Sequence, residues 1–87
     1  MKFRVTWHRA AQRQLASLWN DATDHNAVSE ASAWIDQALA RMPMQLGESR
    51  TGNERLLIVP PMQALYSVDE FDRRVFVLSI GSSQRPR

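Results

Sequence analysis

Apolar and polar residues alternate from Lys2 to Trp7, with Phe3, Val5 and Trp7 on one side and Lys2, Arg4 and Thr6 on the other. A period of two marks a half-buried strand. At His8 the period changes. Ala11, Leu15, Leu18, Trp19 and Ala22 fall on one helical stripe, and Arg9, Gln12, Arg13 and Asn20 face solvent. The polar stretch Asp21–Asn26 is rich in capping residues and reads as a turn between helices. A second stripe follows in Val28, Ala31, Ile35, Ala38, Leu39 and Met42, and Pro43 stops it, since proline has no N–H to continue the ladder. Two antiparallel helices of about four turns each are predicted.

Residues 44–53, MQLGESRTGN, read as a loop. Residues 54–81 then read as three consecutive strands with two tight connections, Pro60-Pro61 and the charged stretch Asp69–Arg73. Leu56–Val59 is an apolar run, as in a strand covered on one or both faces. Met62, Ala64, Tyr66 and Val68 share a face opposite Gln63, Leu65 and Ser67. In the last strand the alternation sets Phe76, Leu78 and Ile80 against Val75, Val77 and Ser79. The prediction is an α+β domain of order β-α-α-β-β-β over residues 1–83, its two helices packed on one side of a small antiparallel-rich sheet. Residues 84–87 form a short basic tail, and no repeat or second domain is visible.

Composition narrows the picture. A chain of 87 residues buries only about 60–65% of the surface its unfolded form exposes, so stability is modest. It contains no cysteine, which removes disulfide frameworks and thiolate metal sites and fits a reducing cytoplasm. No run approaches the roughly 18 apolar residues of a membrane span, and MKFRVTWHRA lacks a signal-peptide core. A soluble, cytoplasmic protein is the expectation. The net charge of +2 does not by itself imply nucleic acid. Ten of the eleven basic residues are arginine, and six of them lie in the second half. Arginine's planar fork suits anion recognition, and a high-GC genome gives the same bias.

Candidate chemistry is sparse. His8 and His25 have no carboxylate or cysteine at ligand spacing, so no metal site is expected, nor any cofactor. The five serines from Ser49 to Ser83 have no histidine nearby in sequence, and no nucleophile elbow or phosphate-cradling glycine loop occurs. Asp69, Glu70 and Asp72 read as a solvated turn. Trp7 and Trp19 lie on apolar faces and read as core. Trp34 lies off its helix's stripe among Ala27, Ala31 and Ala38, and both partner contact and packing stay open for it. Arg50, Arg55, Arg85 and Arg87 sit at strand ends, loop and tail, where they form either one anion-binding rim or ordinary surface charge.

The element order and four segments carry a family likeness: RVTWHRAAQRQLASLW, the helix end ALARMP, the loop LGESR, and ERLLIVPPMQALYSVDEFDRRVFVLSIG. Together they resemble the RelE/ParE superfamily of bacterial toxins, which includes plasmid stabilisation proteins. The resemblance runs from Lys2 to Ser83. It specifies fold well and mechanism poorly.

The resemblance implies the toxin of a type II toxin–antitoxin system, a growth inhibitor neutralised by a cognate antitoxin. RelE-like members are ribosome-dependent mRNA endonucleases that use arginines on the third strand and after the last strand. Here those positions hold Gln63 and, after Gly81, Ser82 and Ser83. Gln63 brings no positive charge to a phosphorane. Such a gap favours a ParE-like mode, binding of DNA gyrase without catalysis, over mRNA cleavage by a rearranged set of Arg50, Arg55 and Arg85. A non-toxic member that only binds its partner is the third reading. The residues implied for target or antitoxin binding are Arg50, Arg55, Gln63, Arg85 and Trp34, with no small-molecule substrate and no membrane.

Overall fold

The computed structural model describes residues 2–83. The switch of period at His8 is where the first strand, β1 (Arg4–Trp7), gives way to the first helix, α1 (Arg9–Asp21). The second helix, α2, spans His25–Arg41. Its N-cap is Asp24, whose carboxylate accepts the Ala27 N–H at 3.0 Å and satisfies a donor that the first turn leaves open. At the other end Met42 N–H still reaches Ala38 O at 2.9 Å, and Pro43 follows, fully buried.

The strands after the helices are β2 (Glu48–Ser49), β3 (Glu54–Val59), β4 (Met62–Asp69) and β5 (Arg74–Ser82). They form one sheet in the order β1-β5-β4-β3-β2, antiparallel except that β1 runs parallel to β5. Both helices lie in the crossover between those parallel partners, so the apolar stripes of α1 and α2 close over one sheet face. Ile35 and Leu39 of α2 meet Met62, Ala64 and Tyr66 of β4 and Val75 and Val77 of β5, all of them fully buried. Burying each of the larger side chains contributes roughly 1.5–3 kcal/mol. The α+β reading, with helices on one side of an antiparallel-rich sheet, holds. The strand missed by sequence is β2, a two-residue edge paired with Arg55 and Leu56.

Two readings need correction. The alternation predicted for the last strand fails after Val77. Tyr66 pairs with Val77 but its neighbour Leu65 pairs with Ser79, so β5 carries Leu78 as an extra residue. This β-bulge resets the phase. Val75, Val77 and Ile80 are buried, whereas Phe76, Ser79 and Gly81 share the opposite face with Gln63 and Leu65. The Ile80 N–H is taken by Gln14 Oε1 of α1 at 2.7 Å.

Trp19 is the second correction. Its indole is 40% exposed, stacked on His25 at 4.0 Å between ring centroids, and it donates to Ser29 Oγ at 3.1 Å. It therefore staples the helical hairpin from outside. Trp7 does pack against the core, with its Nε1 donating to Asp36 of α2 at 2.9 Å.

Candidate functional site

Strand register decides which candidate residues can meet. Ile58 pairs with Gln63 and Leu56 with Leu65, and these four lie on the sheet face that the helices leave open. Gln63 lies over Gly81, where an added Cβ would stand 3.8 Å from its Nε2. Phe76 joins the same face with the His8 ring tilted against it, centroids 5.6 Å apart. Ile58 is 57% exposed. Leu56, Ile58, Leu65 and Phe76 thus form an apolar field around the uncharged Gln63, Ser79 and Gly81. Sequence reasoning missed Phe76 here because the bulge hides its true side.

Arg55 is on the other face. Its register partner is the buried Tyr66, beneath the loop that leaves α2. All three guanidinium nitrogens are engaged: Nε donates to Leu46 O at 2.9 Å, Nη1 to Ser49 Oγ at 2.9 Å and Nη2 to Gly47 O at 3.3 Å. The Tyr66 hydroxyl lies 2.8 Å from both Pro43 O and Leu46 O, sharing its hydrogen between them. Arg55 and Tyr66 therefore clamp residues 43–49 against the sheet, and that clamp is why β2 forms. Arg50 is near in the chain, but its guanidinium turns to Glu48 at 3.8 Å in an exposed pair. Such a pair contributes little.

The structure thus brings Arg50 and Arg55 to one sheet edge without turning either toward Gln63. Arg85 lies outside the described residues. Among the described residues of the open face, the cations are Arg4 and Arg74, at its far end. Arg74 pairs with Asp69, six residues along β4 from Gln63. At about 3.3 Å per residue that is roughly 20 Å, twice the screening length of about 10 Å at 0.1 M salt. Neither acts on chemistry at Gln63.

Trp34 is 47% exposed. Ser29 faces α1, as its bond to Trp19 shows, and helical spacing puts Trp34 on the opposite flank of α2. It is separate from the groove between the helices, which Leu15, Ala16, Trp19, Val28, Ser29 and Ser32 line. Among the described residues no helix is long and apolar enough to cross a membrane.

Burial pushes the Tyr66 hydroxyl above the ordinary tyrosine value of 10.0, and the Arg55 hydrogen bond and charge partly offset the rise. A raised value in the folded state means the unfolded chain loses the phenolic proton first. The stability this group contributes is complete below about pH 10 and declines as pH rises toward the folded value. Urea unfolding of the wild type is therefore expected to show a midpoint that falls between about pH 9 and 11. Tyr66→Phe should lack that alkaline slope and lose about 1–2 kcal/mol at neutral pH. The same slope in the variant would place its cause elsewhere.

No family model and no curated relative matches this sequence. Solved structures do match. The toxin–antitoxin complex RelBE2 from Mycobacterium tuberculosis contains a chain that superposes with a TM-score of 0.78 at 18% identity, over 94% of this chain and 99% of that one. The chromosomal ParDE toxin–antitoxin system of P. aeruginosa gives 0.74 at 16% identity, over 95% and 98%. A mutant of the E. coli toxin RelE in the free state gives 0.71 at 14% identity, over 97% and 86%. These superpositions cover 94–97% of this chain, which therefore has the fold of those RelE and ParE toxin structures.

Proposed function

We propose that this protein is the toxin of a type II toxin–antitoxin pair and that it acts by binding a macromolecular target without catalysis. Solved structures of the same fold include toxin–antitoxin complexes, which supports the toxin role and an antitoxin partner. The observation that carries the non-catalytic reading is the fate of Arg55. The one arginine that opens the second long strand is locked into a loop clamp on the helical side, leaving the open face apolar around Gln63. An apolar field with an uncharged centre fits a protein surface. Among the described residues it places no cation beside Gln63 to hold developing phosphate charge. DNA gyrase is the target this reading favours, as for ParE-like toxins.

The antitoxin would cover the open face and reach the helical side, where the groove beside Trp19 accepts apolar side chains and Trp34 offers a further contact. Arg50 at the β2 edge suits a carboxylate of that partner, its present pair with Glu48 being weak enough to exchange. Induced expression in bacteria, with and without the adjacent reading frame, tests the proposal. Growth arrest relieved by the neighbour is expected, with loss of supercoiling activity when the protein is added to gyrase in vitro. Arrest accompanied by cut transcripts would transfer the assignment to mRNA cleavage, and no effect on growth would reduce the protein to a partner-binding relative.

A further inference from the structure

At the end of the sheet remote from Gln63, four cations gather in one shallow groove. Lys2, Arg4, Arg73 and Arg74 line it, together with Phe3 and Asp72. Arg4 and Arg74 are direct partners in the parallel pairing of β1 with β5. Like charges set side by side on adjacent strands repel, so the arrangement lowers stability unless an anion joins it. Among the described residues no carboxylate forms an ion pair with either, although Asp69 is the register partner of Arg74 and Asp72 lines the same groove. None of the four side chains makes an ion pair or side-chain hydrogen bond among the described residues, and of the four Arg73 alone has a partner there, with its guanidinium 5.8 Å above the Phe3 ring.

The carboxylates nearby are otherwise placed. Asp69, beside Arg74 in register, accepts the Asp72 N–H at 3.1 Å and shapes the turn. Glu70 lines a different groove, with Asn53 and Val68. Asp72 alone shares the basic groove.

Two further observations concern the turn itself. Arg73 has φ of 54°, the left-handed conformation that glycine adopts freely and other residues adopt only at a cost. A guanidinium is held where glycine would be the relaxed choice, and strain of this kind is characteristic of working positions. Phe71, in the same turn, is 96% exposed. At that exposure the ring is open to solvent, as a stacking platform requires.

We propose that this end of the sheet binds a single-stranded nucleic acid, with Lys2, Arg4, Arg73 and Arg74 on the phosphates and Phe71 stacked on a base. Guanidinium groups match phosphate oxygens, and an exposed ring in the turn that borders a cationic groove is the pairing that tracks a backbone while holding a base. An acidic peptide would use the charges equally well but would leave Phe71 without a role. The site lies at the far end of the open face, roughly 20 Å along the strands from Gln63, and does not depend on the assignment of a protein target to the Gln63 region.

Fluorescence anisotropy on the full chain tests this, with short labelled oligouridine, oligothymidine and a glutamate-rich peptide of equal length. Oligonucleotide binding should weaken with salt, the slope of log affinity against log salt approaching about −0.7 per phosphate held, or about −2.8 for four. Arg4→Ala with Arg74→Ala should halve that slope. Phe71→Ala should weaken binding about fivefold or more with the slope unchanged. Arg73→Gly separates binding from folding: affinity should fall while the melting temperature holds or rises. Preference for oligouridine or for oligothymidine supports the proposal either way and identifies the ligand as RNA or DNA. Absence of oligonucleotide binding at low salt overturns it. So does oligonucleotide binding indifferent to these substitutions, or peptide binding as tight as the oligonucleotides' and indifferent to Phe71→Ala, which would assign the groove to an acidic protein.

Discussion

Gly47→Ala is expected to lower the melting temperature by about 15 °C or more, the largest loss from removing no atom at all. Gly47 has φ of 69°, and a Cβ there would stand 2.6 Å from Leu56 O, 3.0 Å from Leu56 C and 3.2 Å from the Tyr66 hydroxyl. The nearest obstacles are backbone atoms of β3, which cannot swing aside as a side-chain tip would. The left-handed conformation alone costs about 1–2 kcal/mol for a non-glycine residue. Moving the loop away from β3 also breaks the Arg55 and Tyr66 bonds to Pro43, Leu46 and Gly47, which adds about 2 kcal/mol or more. Gly52 is the internal control. Its φ is 62° and a Cβ there meets nothing within 4 Å, so Gly52→Ala should show only the backbone cost. Thermal unfolding followed by circular dichroism compares them directly. Equal losses would mean that residues 43–49 move freely on the sheet and that the clamp is not rigid.

Ile58→Glu should abolish growth arrest while shifting the melting temperature by only a few degrees. Ile58 is already 57% exposed, so the fold loses little apolar burial when it changes. A protein target that covers this face would have to bury a carboxylate beside Gln63 and Leu65, with no cation on β3 or β4 of that face to pair with it. Interface centres respond to such changes with losses of about 2 kcal/mol or more, roughly thirtyfold in affinity. Arrest at wild-type strength in a variant that expresses and melts normally would remove the open face as the acting surface. The variant also separates the two ends of the open face, because oligonucleotide binding at the Arg4–Arg74 end should be untouched by it.

The elements were legible wherever one physical pattern dominated. Phe3, Val5 and Trp7 alternate because only one side of β1 is covered, and the Val28–Leu39 stripe keeps helical spacing because α2 has a single buried face. Tyr66 was placed on the correct face for the same reason. The last strand was not, because a bulge at Leu78 has no compositional mark and the sequence carries β-forming residues straight through it. Arg55 reads as an exposed strand-opening cation, and nothing local announces that its acceptors lie six to nine residues upstream in a folded-back loop. The cationic groove escaped notice because Lys2 and Arg4 stand some seventy residues from Arg73 and Arg74 and are joined only by the parallel pairing. Trp19 was misjudged by a small angle: it sits at the margin of the α1 stripe, where a partner on α2 captures it outside the core.

The parallel pairing also governs the order in which the chain can fold. Arg4–Trp7 have no strand to lie against until Arg74–Val77 have been synthesised, and both helices need the sheet in which β5 joins β1 to the central β4. Contacts of such long sequence separation form slowly and late. Until β5 has emerged from the ribosome, the helices are formed at most in outline and the sheet faces are unassembled. The open face therefore exists as a surface only after translation has passed β5.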